Sequence, residues 1–177
     1  MDSKNRIGSW FAFYAGFLSI LCVNAWAGDP KIPIAISSIT ELQGIGVEPG
    51  YPFDGSYYLT QDIDASATVE WNDGAGFAPI ETLAGTFDGA GRVISHLYIN
   101  RPGENNVGLF AQLATTGAIQ NLAITNSTLT GGSQCGPFVG FSVGFISRCY
   151  STASVPAGVY AGGIAGVNGG TVQQCFF

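Results

Sequence analysis

The chain has 177 residues, about one in ten of them charged, and six Lys/Arg against twelve Asp/Glu leave a net charge of −6. That balance argues against a nucleic-acid binder, which needs a surplus of cations to neutralise phosphates, and 46% apolar residues argue against a charge-rich disordered chain. Glycine, at 26 residues, is about double its ordinary share but follows no three-residue period, which sets aside a collagen-like chain.

Residues 1–27 read as a signal peptide. Lys4 and Arg6 lie in a short polar stretch, an apolar run starts at Trp10, and Ala25-Trp26-Ala27 places small residues where signal peptidase needs them. The competing reading is a membrane anchor, since Trp10 to Ala27 is nearly long enough to span. Asn24 and the helix-unfriendly Gly28-Asp29-Pro30 favour cleavage after Ala27, so no membrane span is expected after signal cleavage. Cys22 follows a Leu too bulky for a lipid-attachment box and reads as an ordinary apolar-region cysteine. What remains is one domain's worth of chain, with a net charge of −7 and three cysteines, Cys135, Cys149 and Cys175. An odd number permits at most one internal disulfide plus a leftover thiol.

Residues 28–60 are expected to form an N-terminal cap and the first strand. Ser38-Ile39-Thr40-Glu41 has the capping-box form, with Ser38 as N-cap and Glu41 reaching back, so a helix of one to two turns should stop near Gly44 and act as a lid. Residues 45–58 read as a loop with turn signals at Pro49-Gly50 and Asp54-Gly55, and Tyr57 to Ile63 reads as the first strong strand.

Residues 61–177 carry an internal repeat. Ile94-x-x-Leu97, Ile119-x-x-Leu122, Ile146-x-x-Cys149 and Val172-x-x-Cys175 recur at intervals of 25, 27 and 26 residues. A second register runs beside it through Gly108-Leu109-Phe110-Ala111, Pro137-Phe138-Val139-Gly140 and Gly163-Ile164-Ala165-Gly166. The segments between glycines are short, rich in Val, Ile, Phe and Thr, and alternate in polarity, which is strand chemistry of period two. The period and the glycine density exclude helical repeats, and the leucine-rich-repeat signature does not recur. The solution is a solenoid of short parallel strands, its coils about 4.8 Å apart, with equivalent side chains stacked in interior files. Glycine is expected at the corners, where it supplies positive φ without steric cost. In such a file Leu97, Leu122, Cys149 and Cys175 are expected to be vertical neighbours. Cys149 over Cys175 is then either a reduced, buried pair or a disulfide between coils. Cys135 aligns with Ala161 as another small interior residue.

The stretch from about Ile39 to the end resembles the bacterial GLUG-repeat proteins, named for a Gly-Leu-apolar-Gly tetrad. The match runs through "SITELQGI", "YYLTQDIDAS", "GTFDGAGRVISHLYI", "VGLFAQL" and the paired "SRCYS" and "QQCFF". Ala111 replaces a closing Gly, and Pro137-Phe138 replace an opening Gly-Leu, which puts the corner geometry of those two coils in question. The resemblance implies a right-handed parallel β-helix or β-solenoid in exported, often surface-associated proteins, and it carries no catalytic residues across.

The chain stops at Phe176-Phe177, directly after the last ladder position. It therefore reads either as a fragment of a longer repeat protein or as a chain whose last coil docks on something, with edge-to-edge association as one route.

Parallel β-helices often carry polysaccharide lyases and hydrolases, which need paired carboxylates, a strong base or bound calcium. From Asn105 to Phe177 only Arg148 is charged. Acid–base candidates are therefore Asp62 and Asp64, two apart on one strand face, with Asp73, Asp88 and Arg92. Asp73-Gly74 and Asp88-Gly89 read better as turn formers, and Asp62/Asp64 as a solvated face. His96, the sole histidine, reads as a surface or turn residue, and the cysteines lack zinc spacing. Gly-rich residues 89–92 precede no helix that could hold a phosphate. Asn126-Ser127-Thr128 is a formal glycosylation sequon.

The expectation is thus a non-catalytic exported module without cofactor or metal, acting as an adhesive surface or spacer, extracellular or at the cell surface, with a surface glycan or protein as partner. The alternative is a carbohydrate-active β-helix enzyme or its remnant, with Asp62, Asp64, Asp88 and Arg92 around one groove.

Overall fold

A computed structural model of the chain describes residues 32–156 and 159–177. The signal-peptide reading of residues 1–27 lies outside the described residues. The fold is a parallel β-solenoid of about four turns. Every pairing between its named strands is parallel.

The chain winds round four faces. The first stacks six strands: Ile34–Ile36, Ser56–Leu59, Thr86–Asp88, Ala118–Gln120, Phe145–Ser147 and Thr171–Gln173. The second stacks Ile63–Asp64, Val93–Ser95, Ala123–Thr125 and Tyr150–Ser151. The third pairs Tyr98–Val107 with Thr128–Cys135, and the fourth stacks Ile80–Leu83, Phe110–Leu113, Val139–Ser142 and Ala165–Asn168. In the lowest turn, a 3-10 segment, Ser66–Gly74, stands where the third-face strand runs in the turns above.

Each face sends alternate residues inward, so the core is a set of files. On the first face Tyr57, Phe87, Ile119 and Ile146 are successive partners and essentially inaccessible. On the second, Ile63, Ile94 and Ile124 follow one another, and on the fourth Leu83 lies under Leu113. Each such side chain contributes about 1.5–3 kcal/mol by leaving water. In the last described coil the first-face file ends at Val172, 38% exposed.

The lid forms as its sequence dictates. The helix spans Ile39–Gln43, the Ser38 hydroxyl accepts from the Glu41 backbone N–H at 3.2 Å, and Gly44 closes it. Glu41 reaches back one residue further than expected: its carboxylate accepts from the Ser37 N–H at 2.7 Å and the Ser37 hydroxyl at 2.9 Å. Ile39 and Leu42 face down onto the core with Ile36 and Ile45.

Four expectations are corrected. Tyr57 to Ile63 is not one strand. It breaks into Ser56–Leu59 and Ile63–Asp64, because residues 60–62 turn the corner between two faces. A strand at Ile34–Ile36 pairs beneath it; no alternation long enough to announce a strand precedes the cap there. The ladder is displaced at its first rung. Ile119, Ile146 and Val172 are Cα partners, but Ile94 sits on the next face and pairs with Ile63 and Ile124, while Phe87 occupies the rung below Ile119. Leu97 leads into the third face, where the next residue, Tyr98, pairs with Thr128, so Leu97 is not beneath Leu122. The cause is the corner 89–92, which holds four residues between Asp88 and Val93 where later coils need two. The upper corner does stack Leu122, Cys149 and Cys175 coil over coil, as the flanking pairs Ala123–Tyr150 and Tyr150–Phe176 require.

Glycine's role is the fourth correction. The positive-φ corner residues are mostly not glycine: Asn121, Arg148 and Gln174 repeat at one corner with φ of 52°, 52° and 54°, His96 and Asn126 at the next, and Asn106 and Gln134 at a third. Gly46, Gly50, Gly74, Gly76 and Gly91 do take positive φ as expected, whereas other coil glycines serve close approach. A Cβ on Gly85 would overlap the Gly55 carbonyl, and one on Gly140 the Asn106 backbone. Stacked coils leave no room there for even a methyl group.

Candidate functional site

Of the sequence-selected carboxylates, Asp62 and Asp88 flank the long corner between the first and second faces, Asp64 faces the next corner, and Asp73 lies apart in the 3-10 segment. Asp62 accepts from the Val93 N–H at 3.0 Å. Asp64 accepts from the Ser66 N–H at 3.0 Å and lies 3.2 Å from His96 Nδ1 on the exposed surface. The hydrogen bonds from the Ser66 backbone and side chain, with a smaller contribution from His96, hold Asp64 below its ordinary pKa. Asp88 accepts from the Ala90 N–H at 2.8 Å and from the Gln120 and Asn121 amides, both at 2.9 Å. Partial burial pushes the Asp88 pKa up. The three hydrogen bonds and the Arg148 charge outweigh that, and the net shift is downward. Arg148 Nε donates to Asn121 Oδ1 at 2.6 Å, so the network climbs three coils. A carboxylate held in this way is an acceptor for fixed donors and a poor general acid.

His96 is a corner residue at φ 58°, and Asp73 lies in a left-handed turn with Asn72. Arg92 lies exposed on the same long corner. Among the described residues no group of three or more His, Cys, Asp and Glu could hold a metal ion. Cys135, Cys149 and Cys175 are free thiols. Burial drives the Cys149 thiol up to about 12 and Cys135 to about 11, so neither is a nucleophile at neutral pH. Cys135 bridges to Ala161 in the coil above. The sequon residue Asn126 is exposed, and the Ser127 hydroxyl accepts from the Leu97 N–H at 2.9 Å and donates to the Thr125 carbonyl at 2.8 Å.

A hollow of about 560 Å³ lies beside the candidate Asp88, with Tyr58, Ala90 and Gln120 on its walls, and a further concave feature lies away from the sequence candidates. A cleft of about 490 Å³ opens between the lid helix, the 45–51 loop and the 3-10 segment, with Glu41, Val47, Glu48, Tyr51 and Trp71 on its walls. A second hollow of about 510 Å³ shares Glu48 and Tyr51, and a third of about 440 Å³ shares Val47 and Trp71, so the three run on as one groove across the capped end. Both aromatic walls are backed by buried rings. Tyr51 stacks on Tyr57 with centroids 6.3 Å apart and planes 7° from parallel, and Trp71 on Phe77 at 6.4 Å and 24°. Gln43 ties lid to coil, its amide donating to the Ala78 carbonyl and accepting from the Ala78 N–H, both at 2.9 Å. Trp71 precedes a run of three positive-φ residues, Asn72 to Gly74. The Trp-Asn-Asp-Gly signature was the available signal, but only the fold brings Trp71 beside Tyr51 and Glu48.

No family model matches the chain, and no solved structure matches it. Two curated proteins are similar in sequence. A halomucin of Haloquadratum walsbyi is 40% identical over 148 residues, covering 78% of this chain and 2% of the relative. A protein named as a Gly-rich membrane protein, from Evansella cellulosilytica, is 31% identical over 109 residues, 58% of this chain and 12% of the relative. The chain thus spans a small part of the length of the relatives it matches. Among the described residues no helix is long and apolar enough to cross a membrane.

Proposed function

We propose that this chain is a non-catalytic repeat module of the GLUG type, exported through residues 1–27, that serves as an adhesive or spacer domain on the cell surface. One observation carries the reading: the carboxylates an enzyme would need are spent on the solenoid's own corners, with Asp62, Asp64 and Asp88 each accepting from a main-chain N–H. The similarity to a halomucin and to a Gly-rich membrane protein supports an envelope or surface setting. A stack of rigid coils with a capped end suits a stalk or a display surface, because each coil contacts only its neighbours and the whole holds its length.

The test is expression of the full chain in a bacterial host, followed by fractionation and mass measurement. The expected result is a surface-exposed product lacking residues 1–27, with no depolymerisation of acidic or neutral glycans in a broad panel, with or without calcium. A product retained whole in the cytosol refutes export. Glycan cleavage that survives purification and disappears in Asp62→Asn or Asp64→Asn refutes the non-catalytic role and favours a carbohydrate-active enzyme.

A further inference from the structure

The groove at the capped end combines three properties that bear on what would fill it. Its walls present two flat aromatic rings, Tyr51 and Trp71, each fixed from behind by a buried aromatic neighbour. Such a ring is pre-set to stack and loses little side-chain freedom on binding. Carboxylates stand beside the rings: Glu48 is exposed, and Glu41 uses only Oε2 to hold Ser37. The surrounding chain is predominantly acidic: residues 32–91 contain nine Asp/Glu and no Lys or Arg, and Arg101, which donates to the Phe77 carbonyl behind Trp71, is itself paired with Glu104. The net acidic field draws cations toward the groove and repels uronates and sulfate esters.

We infer that this groove binds a cationic amino-sugar polymer, a chain of pyranose rings bearing free ammonium groups. This deepens the adhesive reading and rests on it. The C–H face of a pyranose lies flat on an aromatic ring, and an ammonium group beside it meets a carboxylate at its edge and the π-face below. The three hollows, which share walls in sequence, give the length for successive sugars rather than one small ion. A polypeptide cation fits less well: flexible lysine stems would leave the rigid, backed rings without a flat partner and would lose rotamer freedom on binding.

The test titrates the full chain with oligomers of β-1,4-linked glucosamine in mildly acidic buffer, where the amines are protonated, by calorimetry and tryptophan fluorescence. The expected result is saturable binding that weakens as salt is raised. Binding should be about tenfold weaker in Trp71→Ala and about threefold weaker in Glu48→Gln, a surface change that leaves the fold intact by circular dichroism. The fluorescence change should vanish in Trp71→Phe, which separates it from signals of Trp10 and Trp26. The inference is overturned by absence of saturable binding, by equal binding of the fully N-acetylated oligomer, or by poly-lysine binding as tightly and indifferent to Trp71→Ala. If the chain still reaches the cell surface in those cases, this ligand alone is wrong. If it does not, the adhesive reading fails independently.

Discussion

At the scale of the residue, the corners decide whether the coil can close. A residue with positive φ costs an L-amino acid about 1–2 kcal/mol unless it is glycine or a short polar side chain that bonds locally. Asn126, at φ 50°, is exposed, and its backbone N–H donates to the Thr152 hydroxyl at 3.2 Å. Asn126→Ala should therefore lower stability by about 1 kcal/mol, and Asn126→Gly should stay within about 0.5 kcal/mol of the parent in urea unfolding. Equal loss in both would mean the side chain, not the backbone conformation, holds the corner. Glycine-rich composition suggests glycine at such turns. It misleads here because asparagine, glutamine, histidine and arginine take the left-handed positions, while Gly85 and Gly140 mark where one coil presses on the next.

At the scale of the element, the lid was legible because capping chemistry is local: four residues from Ser38 to Glu41 contain both donor and acceptor. The Glu41 carboxyl is held below its usual value, 4.5, first by the Ser37 N–H and then by the Ser37 hydroxyl. A depressed folded-state pKa means the contribution is fully present above the unfolded value and lost as pH falls through the folded one. The melting temperature of the parent should exceed that of Glu41→Gln at pH 7, and the two should converge as acid protonates Glu41. A gap that persists to strongly acidic pH would assign the effect to packing of the side chain. The strands were legible by their period-two alternation, and the upper rungs Ile119, Ile146 and Val172 followed from it. The lower rung was not, because Ile-x-x-Leu at residues 94–97 repeats the pattern of a neighbouring face. Only the two extra residues in the corner 89–92, invisible without the coil's circumference, shift Phe87 into its place. The groove was hidden for the same reason: Tyr51 and Trp71 are distant in sequence and meet only when the lid is seated.

At the scale of the whole molecule, charge is distributed along the solenoid's length. The capped end carries nine acidic residues in residues 32–91 and no Lys or Arg, whereas residues 105–177 hold Arg148 alone. Of those nine, only Asp64 among the described residues faces a titratable base, His96, and Asp88 feels Arg148 through Asn121. The rest repel one another across the surface, and folding brings them closer than an open chain would. Screening should relieve that cost, since the Debye length shrinks from about 10 Å at 0.1 M salt to about 3 Å at 1 M. Stability should therefore rise with sodium chloride at pH 7, and each kcal/mol relieved should lift the melting temperature by about 2–4 °C. The same increment should shrink in a variant carrying Glu70→Gln and Glu81→Gln, both exposed and away from the corner network. It should shrink again near pH 4, where the carboxylates begin to take up protons. A melting temperature that is flat or falls with salt would mean that the acidic end is already neutralised by contacts within the fold, and the net acidic field invoked for the groove would lose its basis.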